Sequence, residues 1–578
     1  MQARLVRRRS ARCANLPCVW TSLRTPKWIG RLVGLLGLLT VISALSPEFG
    51  DRVRYVTDVL PRAFPAAATA GAVAVGILLI ALSRALRRGK FRAWLVATVL
   101  TAITVLLHLV KGLDVEEAIV STAMLALLVS SRRNFTARPD PRSLAQLGLA
   151  LLVAPPLATL VGYLSLRLDP DSQRAGTTEL QRLAQSVMGL AGFPGPVRFA
   201  DASDGLTSQL TLAVLGGTTL LVLLLVAMRP AGGPTPIDDE QDARLRALLD
   251  RWGHLDSLGY FALRDDRSVI FSKSGKAAVT YRVVGAVSLA AGDPIGDPEA
   301  WPGAIDAWLD EARSYGWTPA ALGASERGAR ALHRVGLDAL ELGDEAIVHV
   351  PEFSLEGRSM RVVRQAVSRC ARAGLVVSCH RVRDLDESAV AELQHRAEEW
   401  RDGAVERGFT MALGRFCRPE DGESVVVVAR DAEGQPRGLL NLVPWGSRGL
   451  SLDLMRRDRS TENGIVEHMV AALACEAPRL GVDQISLNFA VLRSVFARGE
   501  QLGAGPVLRL WHSVLLGLSR FWQIESLYRA NLKYQPEWRP RFLSFEDAGD
   551  LARVATAALR AEAFLVAPEW VGRLRRHR

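Results

Sequence analysis

Long apolar stretches fill the first 230 residues of the chain, whereas shorter apolar and polar segments alternate over the remainder. A helix that crosses a membrane needs about twenty mostly apolar residues. Six segments approach this requirement, near residues 28–46, 63–83, 93–110, 115–131, 144–166 and 209–228. The pattern predicts an α-helical membrane domain with about six transmembrane helices over residues 1–230.

Two of these segments contain residues that interrupt the apolar pattern. The fourth begins with Glu116 and Glu117, which we expect at the membrane interface, with a role in transport as the alternative. The fifth contains Pro155 and Pro156. We expect a kink or a break there, because proline removes a helical hydrogen bond and clashes with the preceding turn.

Basic residues concentrate in three of the predicted loops, and this bias sets the orientation of the helices. The loops are the N-terminal segment, the second-to-third connection and the fourth-to-fifth connection. Their basic residues are Arg4, Arg7, Arg8, Arg9, Arg12, Arg24 and Lys27, then Arg84, Arg87, Arg88, Lys90 and Arg92, then Arg132, Arg133, Arg138 and Arg142. With six spans, both termini are expected in the cytosol. The chain is therefore predicted to be a multi-pass protein of the cell membrane with a cytosolic polar half.

The polar half begins with a linker and then alternates between strands and helices. Residues 231–236 are rich in glycine and proline, so residues 231–250 are predicted as a linker with a connecting helix. The predicted strands are 268–272, 277–283, 286–290, 317–322, 346–350, 375–382, 424–429, 438–443, 450–455 and 484–490. The predicted helices are 301–315, 326–335, 360–373, 387–404, 463–478 and 506–520. This order predicts two α+β units, 251–375 and 376–568, and a basic tail, 569–578.

Composition narrows the classes of function. Apolar residues make up 49% and charged residues 23% of the chain, which excludes disorder as the overall class. The net charge of +11 suits either nucleic acid or an anionic membrane. The six cysteines form no C-x-x-C pair, and the chain has no G-x-S-x-G, H-E-x-x-H or Walker sequence. We therefore expect no metal site, and no nucleotide-hydrolysis site.

Asp453 and Arg456 end a predicted strand just before a predicted helix. A carboxylate there can orient a hydroxyl or hold an ammonium, and a guanidinium can hold a phosphate or stabilise an oxyanion. Simple alternation places these two side chains on opposite faces of the strand, but a turn between them could bring them together. A surface ion pair is the alternative.

Two further features suggest contacts with RNA or with substrate. Residues 528–541 interleave aromatic and basic side chains, which suits phosphate contacts and stacking on unpaired bases; an ordinary packed edge with basic side chains that extend to solvent is the alternative. His254 follows the linker, and a purely structural histidine is the alternative there.

Several short motifs together resemble one enzyme family, the bacterial phosphatidylglycerol lysyltransferases, also called the multiple peptide resistance factor family. The similarity is greatest to the transferase part of the actinobacterial bifunctional lysine enzyme, and it covers nearly all of residues 252–568. The motifs are Asp256-Ser257-Leu258-Gly259-Tyr260-Phe261, Ala291-Gly292-Asp293-Pro294, Leu340-Glu341-Leu342-Gly343-Asp344-Glu345-Ala346, Arg407-Gly408-Phe409, Ser451-Leu452-Asp453-Leu454-Met455-Arg456, Asn463-Gly464, Ser486-Leu487-Asn488-Phe489-Ala490 and Lys533-Tyr534-Gln535-Pro536-Glu537-Trp538.

The resemblance implies a tandem GNAT-like domain on a membrane anchor that transfers lysine from lysyl-tRNA to phosphatidylglycerol. The product would confer resistance to cationic antimicrobial peptides. The resemblance makes Asp453 and Arg456 the catalytic pair. It assigns substrate binding to His254 and Lys533, with Lys533 at the 3′ end of the tRNA. Asn463 and Glu467, at the start of the helix that follows the strand, are further candidates for substrate binding.

The exchange of one ester for another is nearly thermoneutral, so we expect neither ATP nor another cofactor. The bifunctional relatives continue into a lysyl-tRNA synthetase where this chain ends, so a synthetase acting in trans is expected. A homo-oligomer is a further candidate partner. The alternatives are transfer from another aminoacyl-tRNA or to another lipid, and a lipid flippase or scaffold whose soluble domain is inactive.

Overall fold

A computed structural model describes residues 25–45, 63–112, 115–137, 141–228, 233–403, 405–491 and 530–565. The N-terminal arginines up to Arg24, the helix expected at residues 506–520 and the basic tail 569–578 lie outside these ranges. The chain forms two compact units that meet in sequence at Gly232 and Gly233, and the short segment Arg313–Trp317 groups with the first unit.

The first unit is helical. Its described helices are α1 (Pro26–Leu45), α2 (Ala63–Arg87), α3 (Phe91–Gly112), α4 (Val115–Ser130), α5 (Pro141–Leu168), α6 (Glu179–Leu190) and α7 (Ala202–Ala227). α5 is continuous through Pro155 and Pro156, so the expected break is absent. Two consecutive prolines remove only two amide donors from a helix of 28 residues, and the bonds on either side persist.

The expectation of about six membrane spans is confirmed only in part by the described residues. Three helices are long and apolar enough to cross a membrane, over Pro26–Ser43, Gln146–Leu168 and Ala202–Ala227. α4 has 16 residues, which extend about 24 Å and fall short of a hydrocarbon core of about 30 Å. A membrane region is thus confirmed, with three candidate spans.

Small residues bring the first two helices together. A Cβ atom built on Gly37 would lie 2.6 Å from the backbone oxygen of Gly76, and one built on Gly76 would lie 2.7 Å from the oxygen of Gly37. Only glycine at both positions permits this approach, which is a common packing mode between helices in membranes. The surfaces of α5 and α7 keep large apolar side chains exposed, such as Leu152 and Val214, as expected of surfaces that face lipid.

The second unit is built on one mixed β-sheet. Its strands are β1 (Ser268–Phe271), β2 (Ala277–Val284), β3 (Val287–Ala291), β4 (Ile295–Gly296), β5 (Thr318–Ala324), β6 (Asp338–His349), β7 (Val376–Arg381), β8 (Val425–Arg430), β9 (Pro436–Trp445), β10 (Gly449–Arg457), β11 (Gln484–Val491) and β12 (Glu537–Phe545). Its helices are α8 (Asp239–Trp252), α9 (Trp301–Tyr315), α10 (Glu326–Arg334), α11 (Arg361–Arg372), α12 (Glu387–Arg401), α13 (Ile465–Glu476) and α14 (Leu551–Ala561). The expected α+β class is confirmed.

The sheet is continuous across the two predicted units. The strand order is β1-β2-β3-β5-β12-β6-β11-β10-β9-β8-β7, with β4 paired to β2. β12 comes late in the chain but pairs antiparallel with both β5 and β6. The predicted division between residues 375 and 376 therefore does not divide the sheet, and the two-unit organisation stays a prediction.

Helices cover both faces of the sheet near β8, β9 and β10. On one face, Leu440 and Leu442 pack in a core with Ile465 and Met469 of α13. On the other face, Val426 and Val428 pack with Leu393 of α12. Asn441 alternates with Leu440 and Leu442 and therefore belongs to the α12 face.

Gly464 begins α13 in a conformation that other residues adopt at a cost. Its φ is +104°, and a Cβ atom would lie 2.8 Å from Cβ of Ala366. We expect Gly464→Ala to lower the free energy of unfolding by about 2–3 kcal/mol through strain and overlap. Gly481→Ala is the matched control, because Gly481 also has a positive φ, +73°, but faces open space. Urea unfolding of the full chain in detergent, followed by tryptophan fluorescence, measures both, and equal losses would contradict the packing argument.

Candidate active site

A β-bulge at Asp453 brings the two predicted catalytic side chains to one face of the sheet. Leu452 pairs with Leu442 and Leu454 pairs with Asn441, so Asp453 is an extra residue in β10. Beyond the bulge, Arg456 pairs with Leu439, which lies two residues from Asn441 and shares its face. In a regular strand, side chains three residues apart point to opposite faces. The bulge therefore places Asp453 and Arg456 on the same face.

Protein groups surround the carboxylate of Asp453. Its Oδ1 accepts a hydrogen bond from the backbone N–H of Leu413 at 2.6 Å, and its Oδ2 accepts one from Nδ2 of Asn441 at 2.8 Å. Burial raises the pKa of Asp453 to about 6, although these two hydrogen bonds oppose the rise. Glu406 and Asp421 raise it further by repulsion. A carboxyl group that titrates near neutrality can both accept and return a proton.

Asn441 offers a second acceptor beside this carboxylate. The side chain is buried, and its Oδ1 has no hydrogen-bond partner among the described residues. A buried acceptor without a protein partner is costly, so this oxygen is available to accept a hydrogen bond from a bound group. Asn441 and Asp453 together suit a substrate group that donates hydrogen bonds, such as a hydroxyl or an ammonium.

Arg456 lines a basic cavity of about 560 Å³ on the same side of the sheet. Its Nη2 lies 3.1 Å from Oε1 of Glu406. The other arginines that line the cavity are Arg401, Arg407 and Arg459. The guanidinium of Arg407 lies 5.5 Å from the ring centroid of Phe564. Such a set of guanidinium groups suits an anionic ligand, above all a phosphate.

Glu467 and Lys533 form a separate pair, with 2.6 Å between Oε1 and Nζ. Burial by itself would raise the pKa of Glu467, but the ion pair with Lys533 holds it below its usual range. Glu467 belongs to α13, which packs on the face opposite to Asp453. Among the described residues, no hydrogen bond or ion pair joins this pair to Asp453 or Arg456.

Among the described residues, neither Asn463 nor His254 forms a hydrogen bond with Asp453. Asn463 is exposed, and its backbone oxygen accepts a hydrogen bond from Arg369. His254 is exposed beside the β9–β10 turn, where its backbone oxygen accepts from Trp445 Nε1 at 3.2 Å. Asp453 lies four residues along β10 from that turn, about 13 Å away at the rise of a strand. The substrate-binding roles of these residues stay predictions.

Several of the quoted motifs meet in a buried polar cluster around Arg541. Arg541 lies 2.7 Å from Asp256 and 2.6 Å from Glu345. Ser257 and Ser486 also donate hydrogen bonds to Glu345. These contacts join four distant segments of the chain, so the cluster gives the motifs a structural role.

Asp293 extends this cluster. Its backbone N–H donates to Asp256, and its carboxylate accepts from the backbone and hydroxyl of Ser325. Burial and the neighbouring Asp256 raise the pKa of Asp293. The described residues contain no group of three or more His, Cys, Asp or Glu side chains placed to hold a metal ion.

Sequence reasoning missed most of the basic cavity and the partner of Asp453. Arg407 stood within a quoted motif, but Arg401, Arg459 and Asn441 carried no local signal. They are brought together by the packing of α12 beside β9 and β10, which is a contact between distant segments.

Comparison with known proteins gives two family matches. The family model described as phosphatidylglycerol lysyltransferase, C-terminal, matches residues 246–545. The model described as the transmembrane region of lysyl-tRNA synthetase matches residues 22–228. Together they account for both compact units of the chain.

Curated relatives match nearly the whole chain. The lysylphosphatidylglycerol biosynthesis bifunctional protein LysX of Mycobacterium avium (strain 104) is 41% identical over 558 residues, which cover 94% of this chain and 47% of that protein. The LysX protein of Rhodococcus opacus (strain B4) is 41% identical over 560 residues, covering 95% of this chain and 49% of that protein. The chain thus spans about half the length of these relatives.

Two solved structures are also similar. The structure of L-PGS from Bacillus licheniformis aligns with a TM-score of 0.49 and 22% identity, over 56% of this chain and 95% of that one. The C-terminal domain of a putative lysylphosphatidylglycerol synthetase from Agrobacterium fabrum aligns with a TM-score of 0.47 and 25% identity, over 55% of this chain and 96% of that one.

Proposed function

The chain belongs to the phosphatidylglycerol lysyltransferase family, and on that premise we propose that it transfers lysine from lysyl-tRNA to the glycerol hydroxyl of phosphatidylglycerol. The observation that carries this proposal is the shared face of Asp453 and Arg456, with the buried amide of Asn441 bound to one and a basic cavity beside the other. The soluble unit would be a tandem of GNAT-like units, 251–375 and 376–568, and would face the cytosol, where aminoacyl-tRNA is found.

The proposed step is an ester exchange. Asp453 accepts the proton of the lipid hydroxyl as the hydroxyl oxygen bonds to the carbonyl carbon of the aminoacyl ester. The bond from that carbon to the ribose oxygen of the tRNA then breaks, and Asp453 returns the proton to the ribose oxygen. Charge and protons balance, and neither ATP nor another cofactor is consumed.

Arg456 would bind the phosphate of the lipid or the negative oxygen that develops on the attacked carbonyl. A guanidinium is suited to either role because it presents several donors in a fixed plane. The arginines that line the same cavity would add to the attraction for the lipid phosphate. Asn441 Oδ1 would accept from the hydroxyl or the ammonium of the substrates.

The product carries a net positive charge in place of the negative charge of phosphatidylglycerol. A membrane rich in this lipid attracts cationic peptides less strongly. The donor requires a lysyl-tRNA synthetase, because lysine must first be esterified to the tRNA.

The proposal can be tested with membranes that contain the chain. The membranes are supplied with several labelled aminoacyl-tRNAs, and the lipids are then separated by chromatography. Label from lysyl-tRNA in a new cationic lipid is the expected result. Label from another amino acid, or in another lipid, would replace the proposed substrates. No labelled lipid from any donor would instead favour a flippase or a scaffold.

The pH dependence of the reaction should report Asp453. Activity is expected to rise as the pH increases through about 6, because the carboxylate must lose its proton to act as a base. Asn441→Leu removes a hydrogen bond that favours the ionised form of Asp453. The pKa of Asp453, and with it the midpoint of the pH profile, should therefore increase by roughly 0.5–1 unit. Leu439→Ile on the same strand is the control and should leave it in place. A lower rate at every pH without this shift would contradict the role of Asn441.

A further inference from the structure

A second cavity of about 690 Å³ lies in the soluble unit, and the proposed chemistry does not use it. It is lined by the start of α9, by α10, by the end of β9 and by β12. Its volume is within the usual range for a ligand site. It includes Glu537, Trp538 and Arg539 from the aromatic and basic stretch that the sequence analysis identified.

One wall of this cavity is a basic face of α10. Arg327, Arg330 and Arg334 are spaced three and four residues apart, so they project from one side of the helix. All three are exposed. Arg330 pairs with Glu326, whereas neither Arg327 nor Arg334 has an acidic partner among the described residues. This face therefore offers guanidinium groups to an anionic ligand.

The lining also contains aromatic side chains. Trp538 is half-buried, whereas Trp445 is buried and lies 6.0 Å, at its ring centroid, from the guanidinium of Arg539. Indole rings and guanidinium planes are the surfaces on which unpaired bases stack.

The carboxylates that line the cavity are buried or paired. Asp256 and Glu345 are buried and share one cation, Arg541, so burial shields a ligand from their charge. The exposed carboxylates of Glu326 and Glu537 pair with Arg330 and Arg539. Trp301 is held by a hydrogen bond to the backbone oxygen of Gly296, which fixes a further wall. The cavity is thus preorganised and has basic side chains at its rim.

The surface is poorly suited to lipid chains. The large apolar side chains that are exposed in the described part of the soluble unit are Val362, Val376, Val405, Met455, Leu532 and Leu565, and none of them lines this cavity. An RNA ligand is favoured, because it needs cations and aromatic planes but no aliphatic surface.

We propose that this cavity binds single-stranded RNA, with the arginines of α10 on the phosphates and Trp538 stacked on a base. Resting on the proposed function, the RNA is the unpaired 3′ segment of the donor tRNA. The site anchors the donor in the part of the sheet that contains β12, apart from the basic cavity at Arg456.

Fluorescence anisotropy of a labelled, uncharged lysine tRNA transcript tests this site on the full chain in detergent. The variant combines Arg327→Ala, Arg330→Ala and Arg334→Ala. Its matched control combines Arg361→Ala, Arg372→Ala and Arg479→Ala, which removes the same charge from exposed positions elsewhere. We expect the variant to lose at least about 10-fold in affinity, and the slope of log Kd against log salt to fall by about 2. The control should lose far less.

A second comparison tests the unpaired segment itself. A transcript that lacks its single-stranded 3′ nucleotides should bind the unaltered chain more weakly, and the triple α10 variant should no longer distinguish the two transcripts. Trp538→Phe should keep the preference for the complete transcript, and Trp538→Leu should lose it.

Equal losses in the two triple variants would overturn the proposal, because general charge would then explain binding. It would also be overturned if the α10 variant kept its RNA affinity but lost affinity for short-chain phosphatidylglycerol.

Binding is measured without any transfer. If the unaltered chain binds RNA through α10 but labels no lipid, the proposed function fails and this site stands. If it labels lipid while the α10 variant retains RNA affinity, this site fails and the proposed function stands.

Discussion

Replacing Asp453 with asparagine should lower kcat/KM for lipid aminoacylation by about 100-fold or more, without loss of stability. An amide cannot accept the proton of the lipid hydroxyl, and general base catalysis commonly contributes a factor of about 100 to 10,000. The local hydrogen bonds can survive the change. The new Oδ1 still accepts from the backbone of Leu413, and the side chain of Asn441 can rotate to present its free Oδ1 to the new amide.

The free energy of unfolding of Asp453→Asn should equal or exceed that of the unaltered chain, because the pKa of Asp453 is raised in the folded protein. A carboxyl group whose pKa is higher in the folded state than in the unfolded state destabilises the fold once the pH exceeds both values. The amide of the Asp453→Asn variant carries no such charge at neutral pH. The measurement is transfer kinetics together with thermal unfolding of the full chain, and Leu439→Ile serves as the control on the same face. Near-normal transfer by a folded Asp453→Asn variant would remove Asp453 from the mechanism.

Arg541→Met should cause the largest loss of stability of any single change considered, about 3–5 kcal/mol. Arg541 is buried, and its removal leaves Asp256 and Glu345 without their cation. Buried charges that lose their partner keep the full cost of their burial. Urea unfolding followed by tryptophan fluorescence measures the loss.

Two further variants separate this charge effect from simple packing. Adding Asp256→Asn and Glu345→Gln to Arg541→Met should recover at least half of the loss, because no uncompensated charge remains. Arg539→Met removes an exposed arginine two residues away and should cost no more than about 1 kcal/mol. Failure of the triple change to recover stability would show that the shape of the arginine, and not its charge, is what the cluster needs.

Local pattern was sufficient to predict most strands and helices of the soluble unit. The strand expected at 450–455 is β10, Gly449–Arg457, and the helix expected at 301–315 is α9, Trp301–Tyr315. Alternating and helical periodicities arise from residues near one another in sequence, so such elements can be recognised without the rest of the chain.

β12 was not predicted because its pattern argues against a strand. Pro540 lies within it, and proline lacks the amide donor that a central strand uses. The strand nevertheless lies between β5 and β6, where distant partners supply its remaining hydrogen bonds. No nearby residue identifies those partners.

The candidate site was likewise only partly predictable from local sequence. The resemblance pointed to Asp453 and Arg456, but no glycine or proline beside Asp453 marks the bulge that places them on one face. Arg541 and Asp256 are separated by 285 positions, so their ion pair follows from topology alone. Local pattern identified the membrane region but did not fix the number of spans, because only three helices of the described residues combine sufficient length and apolar composition.

The most direct measurement uses the full chain reconstituted with phosphatidylglycerol and supplied with lysyl-tRNA that carries labelled lysine, in the absence of ATP. The account predicts that label moves into the lipid fraction with the unaltered chain and is almost absent with Asp453→Asn. Label that stays on the RNA with the unaltered chain, or that reaches lipid equally fast with the variant, would contradict it.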